Sequence, residues 1–157
     1  MQEWFDAYGV SHQNETNKLI HWICVPSIFF SVLGLLACIP SDFVAQYFPE
    51  RVAPFVHFGT LVVLLGLIFF IRLSWTISLG MLALSVAFLL GQNALLHSDI
   101  APLWLVNLVI FVVAWIGQFI GHKIEGAKPS FFEDLQYLMI GPAWLIHFIY
   151  KRIGVPI

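Results

Sequence analysis

Apolar positions in this chain come in long runs separated by short polar connectors. Four runs are long enough to cross a bilayer as helices: Leu19 to Ile39, Phe55 to Ile71, Leu73 to Leu90 and Leu103 to Ile120. Each is close to the roughly 20 residues that a helix needs to traverse the hydrocarbon core. A fifth segment, Leu135 to Tyr150, is shorter and contains Gly141-Pro142. That interruption predicts an interfacial or re-entrant helix rather than a full crossing. The second and third runs meet at Arg72, which predicts a tight hairpin. The linker Pro40 to Pro54 holds three prolines. The predicted architecture is an all-α polytopic membrane helix bundle. It has four spanning helices and a shorter C-terminal helix, in one integral membrane domain over residues 1–157.

Composition explains why lipid is the expected solvent. The chain is 60% hydrophobic and 10% charged, with a mean hydropathy of +0.89. Soluble domains are about half apolar and a quarter charged. The net charge of -2 comes without a basic stripe, which argues against nucleic acid as a partner. Cys24 and Cys38 are separated by roughly 20 Å if both lie on one helix, too far for a disulfide. The first 18 residues lack the apolar core of a signal peptide.

Charge then orients the bundle. With the N-terminus cytoplasmic, Lys18, Arg72, Lys123 and Lys128 lie inside and Arg51 lies outside; Lys151 and Arg152 fall inside if the fifth segment does not cross. The positive-inside rule therefore places both termini in the cytoplasm of a multi-pass integral membrane protein.

This topology sorts the six histidines. His57 and His97 fall at the outer end, where they read as structural or solvated groups. His12, His21 and His122 fall at the inner end, with His147 near the same level. In one unbroken helix His12 and His21 would face opposite ways, nine residues turning about 900°. A shared site needs a break between them. Asn14, Thr16 and Asn17 are good helix caps, so a helix start near Asn17 is expected. Asn17 and His21 then share a face at i, i+4. The fourth run ends in QFIGHKIE, where Gln118 and His122 repeat that spacing and Glu125 follows three residues later. Gly117 and Gly121 permit close approach of a neighbouring helix. Imidazoles with a carboxylate suit Fe(II), Zn(II) or Mn(II). The amides suit hydrogen bonds that orient such ligands.

Taken singly, these residues have plainer readings. An interfacial histidine is commonly a polar anchor, Asn17 a helix cap, and Gln118 a bond to another helix. Their clustering at one membrane level favours a metal site, because polar groups at membrane depth tend to be functional. The alternatives are a membrane haem protein with His21 and His122 as axial ligands, and a non-enzymatic transporter or structural protein. A di-iron membrane hydroxylase is disfavoured, since the H-x3-H and H-x2-H-H boxes are absent from the sequence.

The spacing His12, Asn17, His21 ahead of Pro26, with Gln118, Gly121, His122, Glu125, Pro129 and the later Gly141-Pro142, resembles the Mpo-type family of membrane 2-hydroxy fatty acid dioxygenases. The resemblance covers nearly the whole chain. It implies an Fe(II)-dependent α-oxidation that shortens a long-chain 2-hydroxy fatty acid by one carbon with O2. In yeast-type members this serves phytosphingosine breakdown at the endoplasmic reticulum. By the same resemblance His12, His21 and His122 hold the iron, with Asn17, Gln118 and Glu125 supporting. Loss of C1 as CO2 is a four-electron oxidation, matched by reduction of O2 to water, so no further reductant is required. Three protein ligands leave iron positions open for substrate and O2. The acyl tail calls for contact with membrane lipid.

Overall fold

The computed structural model describes residues 13–98, 100–126 and 140–155. Among them every regular element is helical. The elements are α1 (Glu15–Ala37), the single turn α2 (Asp42–Ala45), a 3-10 turn (Ala53–Phe55), α3 (Phe58–Leu73), α4 (Trp75–Leu96), α5 (Leu103–Glu125) and α6 (Ile140–Ile153).

The helix ends have local causes. Asn14 caps α1, its Oδ1 accepting from the backbone N–H of Thr16 at 2.9 Å and of Asn17 at 3.3 Å. The helix begins at Glu15, near Asn17 as expected, and of the three candidate caps it is Asn14 that caps it. Asn17 enters the first turn with its own amide engaged elsewhere. Ser74 ends α3 and begins α4, its Oγ accepting from Ile77 N–H, so the predicted hairpin at Arg72 is tight. The third apolar run was expected to stop at Leu90, yet α4 continues to Leu96, because the polar Gln92 finds buried partners. In α6, Gly141-Pro142 does not interrupt. Both residues are helical within Ile140–Ile153. Residues 135–139 of the fifth segment lie outside the described residues.

The helices alternate in direction. Gly34 of α1 lies against Asn107 of α5, and Gly121 of α5 lies against Asn17 of α1, so these two run antiparallel along their whole length. The start of α3 meets the far end of α1, where Gly59 abuts the Leu33 carbonyl. The far end of α4 meets α1 and α5 through Gln92. The chain therefore goes up in α1, down in α3, up in α4 and down in α5. The starts of α1 and α4 and the ends of α3 and α5 share one end of the bundle.

Two apolar cores hold this arrangement. Phe29 and Leu33 of α1 pack with Val63 and Phe70 of α3, Ile77 and Met81 of α4, and Ile140, Ala143 and Ile146 of α6. Ile28 packs with Ala114 and Trp115 between α1 and α5. α6 thus contributes to the bundle interior instead of lying beside it. Facing outward are further large apolar side chains, among them Leu64, Leu65, Ile68, Val109, Val113 and Ile116. A helix apolar on every side suits a lipid surround. Among the described residues three helices, α1, α4 and α5, are long and apolar enough to cross a membrane. α3 is a shorter apolar helix.

Candidate functional site

The end of the bundle where α1 begins and α5 finishes gathers most of the polar residues singled out by the sequence. Asn17 is 0% exposed, His21 1%, Gln118 4% and His122 5%. These are very low values for such side chains, which are mostly exposed or only intermediate in burial.

The close approach of α1 and α5 makes the site. A Cβ on Gly121 would collide with Asn17 Oδ1 and come within 3.3 Å of His21 Cε1. A Cβ on Gly117 would meet Cys24 Sγ at 2.6 Å. The two glycines therefore let the backbone of α5 lie directly on the side chains of α1.

Across this seam the His21 and His122 rings stand edge to face, with centroids 5.0 Å apart and planes at 87°. His21 Nδ1 lies 2.9 Å from the carbonyl oxygen of Asn17. A carbonyl can only accept, so in the neutral ring Nδ1 carries the hydrogen and Nε2 the lone pair. That is the tautomer in which a histidine presents Nε2 to a metal while its other nitrogen is held by a backbone oxygen.

Glu125, the last residue of α5, closes the seam. Its Oε1 accepts from Gln13 N–H at 2.7 Å, and its Oε2 accepts from Asn14 N–H and from Asn17 Nδ2, each at 2.9 Å. A helix N-terminus presents unpaired N–H groups and a positive dipole end. A carboxylate at the C-terminal end of its own helix is poorly placed, and the start of α1 supplies the compensating donors. Gly126 then stops α5 in a left-handed conformation, φ 79°, which a glycine adopts without strain.

The described residues thus bring together Asn17, His21, His122 and Glu125, and Gln118 is buried one turn before His122 on α5. His12 lies outside the described residues. His147 sits half-buried on α6. Among the described residues no group of three or more His, Cys, Asp or Glu side chains is arranged to hold a metal; the two imidazoles are the metal-capable pair. The sequence reading passed over a second polar cluster near the other end. Gln92 Nε2 donates to Asn107 Oδ1 at 2.8 Å and to the Phe30 carbonyl at 2.8 Å, and Asn107 Nδ2 donates to Gln92 Oε1 at 2.9 Å. The signal was present, since Asn107 interrupts an otherwise apolar run. This pair is fully satisfied within the protein and joins α1, α4 and α5. His57 caps α3, its Nδ1 accepting from Thr60 N–H at 3.3 Å, and His97 Nδ1 lies 2.7 Å from the Asn93 carbonyl. Both fit the structural reading given to them.

The family model described as 2-hydroxy-palmitic acid dioxygenase Mpo1-like matches residues 1–153. The chain is 29% identical over 147 residues to the 2-hydroxy-palmitic acid dioxygenase MPO1 of Saccharomyces cerevisiae, spanning 92% of this chain and 76% of the yeast protein. No solved structure matches the chain.

Proposed function

Because the chain belongs to the Mpo1-like family of 2-hydroxy-palmitic acid dioxygenases, we propose that it is a membrane-embedded, Fe(II)-dependent dioxygenase. It shortens long-chain 2-hydroxy fatty acids by one carbon. The substrate and O2 give the acid one carbon shorter, CO2 and water. Four electrons leave the substrate and four reduce O2. Helices α1, α3, α4 and α5 cross the membrane with both chain ends cytoplasmic, which sets the His21–His122 pair at the cytoplasmic face. α3, about 24 Å long at 1.5 Å per residue, makes its crossing between polar caps at His57 and Ser74.

The observation that carries this reading is the buried pair of imidazoles. With metal–nitrogen bonds of about 2.1 Å and ring centres about 1.1 Å further, two histidines on one ion have centroids about 4.5 Å apart at a right angle and about 6.4 Å apart when opposed. The separation of 5.0 Å fits adjacent ligands of a non-haem ion. It is short for the opposed axial pair of a haem. His12 completes the proposed set from sequence.

Bound between these side chains, Fe(II) would supply O2 activation and a Lewis-acid anchor for the substrate's carboxylate and hydroxyl. The protein supplies the rest. The Asn17 carbonyl fixes the tautomer and direction of His21. Glu125 ties the start of α1 to the end of α5, so the two imidazoles keep their spacing. Burial excludes bulk water and strengthens electrostatic contacts at the reacting centre.

The test is product analysis. Protein purified in detergent and loaded with Fe(II) without air should, on admission of O2, convert 2-hydroxypalmitate to pentadecanoate and CO2. Consumption of O2 should be equimolar. Recovery of intact 2-hydroxypalmitate would remove this substrate class.

A further inference from the structure

We propose that Gln118 is the residue that recognises the 2-hydroxyl of the substrate. Its side-chain carbonyl oxygen accepts the hydrogen bond that distinguishes a 2-hydroxy acid from a plain fatty acid. The inference rests on the dioxygenase reading and names the part of the substrate that this side chain reads.

Three observations carry it. First, Gln118 is 4% exposed, and its Oε1 is buried with no hydrogen-bond partner among the described residues. A buried amide oxygen left unpaired has lost its hydration with nothing in return, and such groups in native proteins call for an explanation. The contrast lies in the same helix: the other buried amide of α5, Asn107, is bonded to both Gln92 and the Leu103 carbonyl. The bundle can satisfy a buried amide, and at Gln118 it does not.

Second, Gln118 stands one turn from His122 on the face of α5 that meets α1, where i and i+4 side chains are neighbours. An acceptor one turn from one member of the imidazole pair calls for a donor on whatever the pair engages. The polar atoms of a 2-hydroxy acid are confined to C1 and C2, and the 2-hydroxyl is its last hydrogen-bond donor before the methylene chain.

Third, the seam changes character beyond Gln118. Going from the capped end inward, it presents Glu125, then His122 with His21, then Gln118. After that come Cys24, Ile28, Ala114 and Trp115, whose side chains form an apolar cluster. The order of polar and apolar groups along the seam thus follows that of the substrate, from carboxylate through 2-hydroxyl to hydrocarbon. A site that hydrogen-bonds a substrate hydroxyl rejects the analogue lacking it, because the site's own polar atom is then stranded.

Equilibrium dialysis with radiolabelled 2-hydroxypalmitate and palmitate tests this on the iron-loaded protein under argon, so that binding is read without turnover. Wild type should bind 2-hydroxypalmitate tenfold or more tightly than palmitate. Gln118→Leu should lose most of that preference, weakening 2-hydroxypalmitate about tenfold while palmitate binds as well or better. Gln118→Glu keeps the acceptor and the length, and should retain the preference. It also serves if the leucine variant does not fold. An unchanged preference in Gln118→Leu overturns the proposal. So does equal weakening of both ligands, or loss of preference in a folded Gln118→Glu. If wild type converts 2-hydroxypalmitate in air but Gln118→Leu discriminates normally, the assignment of Gln118 fails alone. If wild type neither prefers nor converts the hydroxy acid, the dioxygenase reading fails with it.

Discussion

Asn17 donates its side-chain N–H to Glu125 Oε2 at 2.9 Å, joining residues 108 positions apart. The same carboxylate takes the backbone N–H groups of Gln13 and Asn14. Removing it strands three donors at the start of α1. Glu125→Ala should therefore destabilise the protein by about 1–3 kcal/mol, given partial solvent access to the site. It should weaken metal binding as the seam loosens. Glu125→Gln, which keeps one acceptor oxygen, should fall between. If Glu125 serves as a latch and not as a ligand, the spectrum of the Co(II)-substituted protein at saturating metal should be unchanged in both variants. Thermal melts and Co(II) titrations in detergent measure the two effects.

Two glycine substitutions separate the site from its scaffold. In Gly121→Ala the new methyl falls on Asn17 Oδ1 and close to His21; in Gly34→Ala it falls on the Asn107 amide. Overpacking of this kind costs about 1–3 kcal/mol, more than the modest gain in helix propensity. Both variants should melt earlier. Gly121→Ala should in addition lose metal affinity, and Gly34→Ala should keep it.

The Gln92–Asn107 pair predicts strong coupling. Asn107→Leu alone leaves the Gln92 amide buried without its partner and should cost about 1–3 kcal/mol. Adding Gln92→Leu removes the stranded group. The double variant should then be no less stable than the worse single one, and a double-mutant cycle by thermal unfolding gives the interaction. Additive losses would mean that the two amides do not depend on each other.

Burial of His57 at the head of α3 pushes its imidazole below the ordinary histidine value, and its Nδ1 must stay unprotonated to accept from Thr60 N–H. The unfolded chain therefore binds this proton more readily than the folded one. The contribution is complete above the ordinary value of about 6.5 and is lost as pH falls through the lower folded value. His57→Asn keeps a capping acceptor without a titration in this range. Its melting temperature should decline less than that of wild type between about pH 7.5 and 5.5.

The three helices long enough to cross a membrane were legible because lipid demands long unbroken apolar runs, and those runs are written in the chain. The histidine pair followed from the alternating direction of the helices, which brings His21 and His122 to one level of the bundle whatever the packing details. Helix starts were less legible. Asn14, Thr16 and Asn17 are all competent caps, and only the tertiary demand for the Asn17 amide by Glu125 decides for Asn14. The role of Glu125 was hidden for a related reason. Two of its partners are backbone N–H groups, which every residue but proline carries and no residue letter reveals. The apolar run ends at Leu90, so the sequence alone reads Gln92 as part of a connector. Its partner Asn107 decides that the helix continues.

The most direct test of the iron site is metal analysis of the protein reconstituted with Fe(II) under argon, wild type beside His122→Ala, with a thermal melt to show that both are folded. Wild type should retain about one iron per chain after desalting, as an imidazole-rich site of fixed geometry would, and His122→Ala should retain little. Equal iron in the two proteins would contradict the assignment of the His21–His122 pair as the metal centre.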